Sequence, residues 1–406
     1  MHTPLATLSL PDDPAALGAR DVVARLRAAG HDALVAGGAV RDLLLGRTPK
    51  DYDVATDAEP HEVAALFPRA IPVGAQFGIS RILVGGHEYE VARFRAEGPR
   101  EDALRRDFTV NGLFLDPLTG EVRDYVGGLA DLDARRLRAC GHDPAGRFFE
   151  DPLRVLRAAR FAASFDLAID PATRAAMAQY AEAALSASPE RQRDELVRML
   201  TGGAASRAFG LLEDAGVLAG LLPEVPDRPR LRERLVHLPA CAEAVAWTVV
   251  GLDWAAPAEE ATALAQRLRL PTRLGRHVGA AVGLARTLPN YRTSPVAARK
   301  RWIRDDAAPT ALAAASIATT CDQVDPADLA AAEADRAAWT PTDLRAPALV
   351  SGRDLAGLGL APGPRYRQLL EAVEDAWLEG RVATREEALA LATRLAETGP
   401  AEFQGS

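Results

Sequence analysis

Strand-forming patterns in this 406-residue chain are confined to the segment from residue 34 to residue 140. Short β-rich runs alternate there with glycine and Asp-Pro turns. The runs are LVAG (34–37), DYDVA (51–55), ISRILVGG (79–86), HEYEVARF (87–94), NGLFLD (111–116) and RRLRAC (135–140). From Phe149 onward, apolar residues recur at helical spacing over 150–166, 172–186, 189–200 and 204–221. We therefore expect an α+β protein, with a small mixed sheet in an N-terminal head and an all-α remainder.

The chain is too long for one compact core, and its length predicts two to four units. Residues 225–345 are rich in alanine, and a turn-rich linker, SGRDLAGLGLAPGPRY, follows at 351–366. These changes in composition predict five segments: an N-terminal extension (1–30), a head (31–147), a helical neck (148–222), a helical body (223–347) and a helical tail (348–406).

Composition excludes several classes of protein. With 48% hydrophobic and 26% charged residues, the chain is typical of globular rather than disordered proteins. It has no run of 18 apolar residues, and its N-terminus lacks the pattern of a signal peptide, so we expect no membrane association. Three widely spaced cysteines argue against a disulfide framework or a zinc site and favour a cytoplasmic location.

The segment LVAGGAVRDLLLG (34–46) contains the first candidate site. A strand ends at Gly37-Gly38 and leads directly into a helix, which exposes backbone N–H groups suited to phosphate. Arg41, in the first helical turn, could reach the same anion. A tight connection without a ligand would have the same sequence, so this pattern alone is weak.

Two carboxylates follow in DYDVA. If Asp51 and Asp53 lie in a strand, they point to the same face and repel each other unless cations lie between them. Two Mg²⁺ ions for phosphoryl transfer would satisfy this requirement. A solvated turn with two surface acids is the alternative, and an isolated pair favours it. Glu90 is our candidate for a third catalytic carboxylate, although Glu88 shares its face and both could be merely exposed strand acids.

Two arginine-rich segments complete the candidates. Arg105, Arg106 and Asp107 form a charge cluster that could neutralise phosphate and fix a ribose beside a metal–triphosphate site. Further along, a polar stripe with steps of three on a predicted helix contains Asp151, Arg154, Arg157 and Arg160. A salt-bridged surface helix is the alternative. The local excess of arginine favours a face that binds nucleotide or RNA.

Together these motifs resemble the class II tRNA nucleotidyltransferase family, which includes CCA-adding enzymes and bacterial poly(A) polymerases and belongs to the DNA polymerase β-like superfamily. The matching segments are GGAVRD (37–42), KDYD (50–53), RRDFTVNG (105–112), DYVGGLADL (124–132), EDPLRVLRAARF (150–161) and ERQRDEL (190–196). The tail, with GRDLAGLGLAPGP and EEAL, is also similar. Each motif is weak alone, but their order and spacing are specific.

The resemblance implies an enzyme with a polymerase-β-like head. Asp51 and Asp53 would hold Mg²⁺, with Glu90 as a further catalytic carboxylate. The residues implied to bind nucleotide are Gly37, Gly38, Arg41, Arg106, Asp107, Asp151, Arg154, Arg157 and Arg160. The neck would bind nucleotide and RNA, and the helical body and tail would hold the acceptor arm of tRNA.

The resemblance also implies the reaction, which is template-independent transfer of CMP, and in some members AMP, from CTP and ATP to the tRNA 3′ end. A poly(A) polymerase is the alternative within the family. A non-catalytic RNA-binding protein is the alternative from another class, although the intact acidic pairs argue against it. A fused phosphohydrolase of the His-Asp type is rejected, because His237 and His277 have no adjacent aspartate.

The chain departs from the family pattern at one place. CCA-adding members usually carry a flexible loop before the RRD motif, and this loop is linked to the change from CTP to ATP. Here only Ala96–Leu104 separate Arg95 from Arg105. The shortened segment slightly favours an enzyme that adds only two C residues and leaves the final A to a separate enzyme. An ordinary loop deletion with full CCA addition is the alternative.

Overall fold

The computed structural model describes residues 6–73, 78–95, 97–225, 227–321 and 324–397. The chain forms two compact units. The first comprises residues 1–196 and 207–221, and the second comprises 197–206 and 222–406. All the described strands belong to the first unit, while the described elements of the second are helical. The predicted fold class, an α+β head followed by helices, is confirmed. The finer division into five segments stays a prediction.

An eight-stranded sheet forms the head, in the order β1-β8-β7-β2-β3-β6-β5-β4. Its strands are β1 (Ala6–Thr7), β2 (Ala33–Ala36), β3 (Asp53–Thr56), β4 (Ile71–Pro72), β5 (Ile79–Val84), β6 (His87–Arg93), β7 (Leu113–Leu115) and β8 (Glu121–Asp124). A second, two-stranded parallel sheet pairs β9 (Arg136–Leu137) with β10 (Ala168–Ile169). The central pair, β3 and β6, is parallel, and β3 is antiparallel to β2. Six of these strands overlap predicted runs, whereas β1, β4, β8 and β10 were not predicted.

One face of the sheet is covered by helix α1 (Pro14–Ala28), for which no element was predicted. Asp13 caps this helix by accepting hydrogen bonds from two backbone N–H groups of the first turn. The Tyr89 hydroxyl, from β6, donates to the Ala15 carbonyl at 2.8 Å. A side chain at Gly18 would overlap the Tyr89 hydroxyl, so this contact requires glycine.

Eleven further described helices lie wholly or mostly in the first unit: α2 (Gly38–Leu44), α3 (Pro60–Leu66), α4 (Pro99–Arg105), α5 (Gly128–Asp133), α6 (Pro144–Glu150), α7 (Arg154–Ser164), α8 (Pro171–Gln179), α9 (Ala181–Ala184), α10 (Pro189–Thr201), α11 (Ala205–Asp214) and α12 (Leu218–Leu221). In addition, Thr109–Asn111 form a turn of 3₁₀ helix at the start of the predicted run 111–116.

The prediction of one continuous helix over 150–166 is wrong. Helix α6 ends at Glu150 and α7 begins at Arg154, and Asp151 between them is extended (φ −148°, ψ 94°). Pro152 accounts for the break, because a proline disfavours the helical conformation of the residue before it. Asp151 is therefore not on the helix that carries Arg154, and the predicted stripe with steps of three begins only there.

The predicted strand 51–55 also begins later than expected, at Asp53. Its pairing with β2 extends to the Ala36–Asp53 register. There the neighbouring chain turns away, because Gly37 has a φ of 70°. Asp51 consequently lies before the strand, and the argument that both carboxylates share a strand face does not hold. Asp51 and Asp53 are instead two exposed acids on either side of the buried Tyr52, at the point where the chain enters the sheet.

The second unit contains α13 (Arg228–Val236), α14 (Glu243–Gly251), α15 (Pro257–Arg267), α16 (Thr272–Thr287), α17 (Val296–Arg304), α18 (Ala308–Thr319), α19 (Pro326–Ala338), α20 (Pro341–Leu344), α21 (Gly352–Gly357), α22 (Pro364–Leu378) and α23 (Arg385–Glu397). Within the described part of the chain, no helix combines the length and the apolar character needed to cross a bilayer.

Alanine and glycine allow close helix packing in the second unit. A Cβ atom on Gly275 of α16 would lie 2.7 Å from the Cβ of Ala265 on α15. Buried Ala281, Ala285 and Ala311 pack with Trp302 in one core cluster. Small side chains let backbones approach, so the alanine richness of this region serves its packing.

Asp124, at the end of β8, stabilises the connection from β8 to α5. Its carboxylate accepts four hydrogen bonds of 2.8–3.0 Å from successive backbone N–H groups, those of Val126, Gly127, Gly128 and Leu129. The side chain is nearly fully buried. It therefore satisfies the amide groups that open α5.

Replacing Asp124 should destabilise the head. We expect Asp124→Ala to lower the free energy of unfolding of the first unit by about 2–4 kcal/mol, because buried N–H groups lose their acceptor. The control is Asp133→Ala, at an exposed acid of the same helix. Calorimetry measures the transition, and intrinsic fluorescence follows the second unit separately, since all five tryptophans lie beyond residue 222. Equal stability of the two variants would contradict this role.

Candidate active site

A sharp turn between β2 and α2 forms one wall of the site. Gly37 adopts a positive φ of 70°, which is unfavourable for other residues. A Cβ atom on Gly37 would also lie 2.5 Å from Nη1 of Arg106. No side chain among the described residues caps the N-terminus of α2, which begins at Gly38. The turn thus requires glycine for two independent reasons, and it brings the RRD segment against the start of α2.

Three of the predicted carboxylates meet at the start of β3. The parallel pairing of Val54 with Val91 places Asp53 and Glu90, the residues before them, side by side. Asp53 is exposed at its surface, yet its pKa is raised to about 6. The largest cause is partial loss of hydration of the carboxylate, and the next is the negative charge of Asp51 and Glu90. The negative charges therefore oppose one another, and a bound cation would relieve this repulsion.

These oxygen ligands suit Mg²⁺, which is commonly held by one or two carboxylates together with substrate phosphates. Within the described ranges, no group of three or more His, Cys, Asp or Glu side chains is arranged as a complete metal site. Asp51 and Asp53 thus fit a site that substrate oxygens complete, rather than a cage made by protein alone. Their assignment as metal ligands, and that of Glu90 as a catalytic group, stay predictions.

The Arg41 guanidinium lies inside the protein. It hydrogen bonds to Asp42 at 2.9 and 2.7 Å and to the Asn111 side chain. It also stacks over the Phe165 ring, 4.0 Å from the centroid, and faces Phe161 at 5.2 Å. Burial lowers the pKa of Arg41. In this conformation Arg41 stabilises the turn through its contacts with Asp42 and Asn111. Its predicted contact with phosphate stays a prediction.

Arg106 lies closer to the open side of the turn. Its Nε and Nη2 atoms donate to Asp102 at 3.1 and 2.9 Å, and Nη1 donates to the Asn111 carbonyl at 3.3 Å. The guanidinium lies over the Phe114 ring, 5.0 Å from its centroid. About a fifth of its side chain is exposed, at 21%. This fixed and partly accessible cation, in contact with Gly37, is well placed for an anionic ligand.

Asp107 connects the head to helix α7. Its carboxylate accepts from the Phe108 N–H (2.8 Å), from Nδ2 of Asn111 (3.0 Å), and from Nε (3.0 Å) and Nη2 (2.5 Å) of Arg157. Burial alone would raise the pKa of Asp107, but Arg157 and these hydrogen bonds hold it below its usual value. The geometry favours a positioning role for this residue, and its predicted contact with nucleotide stays a prediction.

Glu195 of α10 is a site residue that we did not predict. It is almost completely buried and accepts from Nε of Arg160 at 2.5 Å and from Nη1 of Arg157 at 3.4 Å. One turn earlier on α10, Arg191 donates to Asp151 at 2.7 Å. The sequence did contain a signal for these contacts. In ERQRDEL, an arginine and an acid spaced i, i+4 lie on one face of the helix and could pair with an arginine-rich helix.

Asp151 and Arg154 lie at the break between α6 and α7. Asp151 remains partly exposed while it pairs with Arg191. Arg154 is nearly buried, and its Nη1 donates to the Arg147 carbonyl at 2.6 Å, with the Glu150 carboxylate 3.6 Å away. Burial lowers the pKa of Arg154. The two side chains thus present a carboxylate and a restrained guanidinium near each other in sequence and space.

The site therefore has two ends joined by one series of contacts. Acidic residues and the glycine turn lie at one end, and the α6–α7 break lies at the other. Hydrogen bonds run from Arg41 at the turn through Asn111, Asp107 and Arg157 to Glu195 on α10. Arg191, on the same helix, donates to Asp151 at the break. This arrangement can hold a triphosphate with a cation at one end and a polar base edge at the other.

Comparison with known families gives two matches. Residues 33–138 match the family described as "Poly A polymerase head domain". Residues 166–228 match the family described as "Probable RNA and SrmB- binding site of polymerase A".

Known proteins and structures agree with these matches. A CCA-adding enzyme from Levilactobacillus brevis is 31% identical over 408 residues, covering 92% of this chain and 96% of the relative. Poly(A) polymerase I from Haemophilus influenzae is 36% identical over 231 residues, covering 50% of this chain and 51% of the relative. The crystal structure of the Bacillus stearothermophilus CCA-adding enzyme in complex with CTP has a TM-score of 0.77 at 28% identity, covering 94% of this chain and 98% of that structure.

A Thermotoga maritima CCA-adding enzyme complexed with tRNA shares the fold, with a TM-score of 0.65 at 21% identity over 93% of this chain and 94% of that structure. The similarity to the Levilactobacillus brevis enzyme extends over almost the whole of both chains. The resemblance seen in the motifs is thereby confirmed, and the chain belongs to the class II tRNA nucleotidyltransferases, a family of nucleotidyltransferase enzymes.

Proposed function

We propose that this enzyme transfers CMP from CTP to the 3′ end of tRNA and stops after two additions. In this proposal the head (31–147) carries the catalytic carboxylates, the neck (148–222) selects the nucleotide, and the body (223–347) and tail (348–406) hold the acceptor arm. The short, fixed segment between Arg95 and Arg105 carries the proposal that addition stops at two.

In the proposed reaction, the terminal hydroxyl of the RNA attacks the α-phosphate of CTP in line. A new phosphodiester bond forms, the α–β phosphoanhydride bond breaks, and pyrophosphate leaves with Arg106 near its charge. Asp51 and Asp53 would hold Mg²⁺, which when bound supplies positive charge to the phosphates and lowers the pKa of the attacking hydroxyl.

The base would be selected by protein side chains at the α6–α7 break. The Asp151 carboxylate accepts from an exocyclic amine, and Arg154 donates to the adjacent ring nitrogen. Cytosine and adenine both present this edge, whereas uracil and guanine present an oxo group and an N–H, which clash with the carboxylate and the guanidinium. The hydrogen bond from Arg154 to the Arg147 carbonyl restrains the guanidinium and supports this selection.

The segment that separates Arg95 from Arg105 is held in place rather than free. Asp102 in α4 is 2% exposed, and its carboxylate accepts from the Arg95 N–H and from Arg106. Arg105 donates back to the Arg95 carbonyl at 3.1 Å. Ala96, the first residue of the segment, lies outside the described residues. A short helix fixed by a buried acid has little freedom to reshape the nucleotide pocket for ATP.

A poly(A) polymerase is the alternative, since the Haemophilus influenzae relative, which matches half of this chain, carries that name. The two activities differ in their products. Repeated AMP addition to RNA that does not end in CC would favour the alternative.

Our proposal that addition stops after two C residues also requires a partner, which is a separate enzyme that adds the final A.

The carboxylates can be tested first. Asp53→Asn should reduce CMP transfer by more than about a thousandfold, because it removes a ligand of the catalytic metal. The control is Glu88→Gln, which neutralises an exposed acid of β6 that pairs with Arg81 instead. Steady-state transfer with a tRNA transcript measures both variants.

A second measurement on the same variants separates metal binding from folding. Since the pKa of Asp53 is raised to about 6 in the folded protein, stability falls as the pH rises from the pKa of an unfolded aspartate, about 4, to about 6, and the loss is fully present above that. Asp53→Asn should therefore melt slightly higher than the wild type at pH 7.5 without metal, and should gain less from added Mg²⁺. Substantial transfer by both Asp51→Asn and Asp53→Asn would exclude a two-metal site.

Asp151 can be tested through nucleotide choice. Asp151→Ala should lower kcat/KM for CTP by about 10–100-fold and narrow the preference for CTP over UTP by about tenfold, because the attraction and the repulsion are both removed. Arg191, released from Asp151, could also donate to the uracil oxo group. Asp194→Ala, at an exposed acid of α10, is the control. A slower enzyme with unchanged nucleotide preference would assign Asp151 a structural role.

The products test the number of additions. With CTP and ATP together, a transcript ending at the discriminator base should give mainly the product with two added nucleotides. A transcript ending in CC should incorporate AMP poorly, because the hydrogen bonds to Asp102 leave α4 little freedom to reshape the nucleotide pocket. The Bacillus stearothermophilus enzyme assayed in parallel is the reference. Efficient completion to CCA would disprove the restricted addition and leave the family assignment intact.

A further inference from the structure

Phe149 is the most exposed large apolar side chain in the described part of the chain, at 74%. It lies in the last turn of α6, immediately before Glu150 and two residues before Asp151. A phenyl ring in water forfeits the hydrophobic stabilisation that burial would give. A singly exposed apolar residue needs no ligand by itself, but an open aromatic ring two residues from Asp151 offers a surface on which a nucleic-acid base can stack.

The ring has a defined neighbour. The centroids of Phe149 and Tyr180 are 6.5 Å apart, and the ring planes meet at 61°, an edge-on arrangement. Tyr180 follows the last residue of α8 and is half-buried. Edge-on aromatic pairs are favourable, so Tyr180 restrains the Phe149 ring while leaving much of its surface open.

The surroundings of this pair suit nucleic acid better than a protein partner. Glu150, which follows Phe149, is an exposed acid paired with Arg147, and Arg191 beside Asp151 is 53% exposed. Charged side chains thus border a single open ring. A second copy of this chain would need about 800 Å² of contact on each side, far more than one phenyl ring offers. An RNA base needs only one flat aromatic surface, and stacking tolerates any base.

The position also matches the geometry of a nucleotide strand. Two peptide units separate Phe149 from Asp151, so their Cα atoms are at most about 7 Å apart. If Asp151 binds the base of the incoming nucleotide, the neighbouring base at the RNA 3′ end is therefore within reach of the Phe149 ring.

We propose that Phe149 and Tyr180 form a stacking platform for an unpaired base at the 3′ end of the RNA substrate. The inference rests on the proposed function and adds a binding subsite to it. By stacking the last base of the RNA, the platform orients the terminal ribose hydroxyl toward the α-phosphate. Phe149 acts as a positioning residue, since it contacts the RNA base and not the reacting atoms.

Kinetics with the full chain test the platform. Phe149→Ala should raise KM for a tRNA transcript by about tenfold, equivalent to about 1.4 kcal/mol, and leave KM for CTP unchanged. Phe149→Trp should restore the wild-type KM, because a larger ring also stacks. Ile71→Ala, at a similarly exposed apolar residue of the edge strand β4, is the control. Melting temperatures of all variants exclude a folding defect.

A binding measurement separates this inference from the proposed reaction. A tRNA transcript with 2-aminopurine at its 3′ end should lose fluorescence on binding the wild-type protein, and not on binding Phe149→Ala. If the wild type extends RNA and Phe149→Ala matches it in both assays, the platform is disproved. If no RNA is extended but quenching still requires Phe149, the platform holds and the proposed reaction fails. A change of oligomeric state in Phe149→Ala with unchanged RNA binding would make the patch a protein interface.

Discussion

The buried ion pair between Asp107 and Arg157 determines how the two ends of the site face each other. Asp107 follows the helix that carries Asp102, whereas Arg157 belongs to α7, fifty positions further along the chain. Removing one partner of such a pair leaves an uncompensated buried charge, which commonly costs about 3–5 kcal/mol. This contact links the head segment that carries Asp107 to helix α7, which begins at Arg154.

Arginine is well suited to this arrangement for geometric reasons. The guanidinium of Arg157 divides its donors between Asp107 and Glu195, and Arg160 combines a hydrogen bond to Glu195 with stacking on Phe161, 4.0 Å from the ring centroid. A lysine ammonium group offers neither a planar fork nor a stacking face. All but two of the 48 cationic residues are arginine. At these positions the structure uses both the fork and the flat face of the arginine side chain.

Local patterns in the sequence were sufficient for the turn at Gly37 and the strands around it, whereas the parallel pairing that places Glu90 beside Asp53 was not predicted. They failed where a single neighbour or a distant partner decides the structure. Pro152 interrupts a helix whose apolar periodicity is otherwise continuous. Arg41 lies in the predicted turn, yet the rings that enclose it come from α7 and beyond, more than a hundred residues later. Glu195 was missed for the same reason, because its partners on α7 are 35 and 38 positions away.

The alanine-rich core of the second unit limits how this protein can vary. A side chain that is already a methyl group has almost no volume to lose, and a glycine such as Gly275, facing Ala265, has none. Nearly every substitution there adds atoms, and overpacking typically costs about 1–3 kcal/mol. Substitutions that enlarge a core side chain in these helices are therefore disfavoured. Homologues with larger core residues must place their helices further apart, so the spacing between helices, more than the residues at any surface, should distinguish related enzymes in this region.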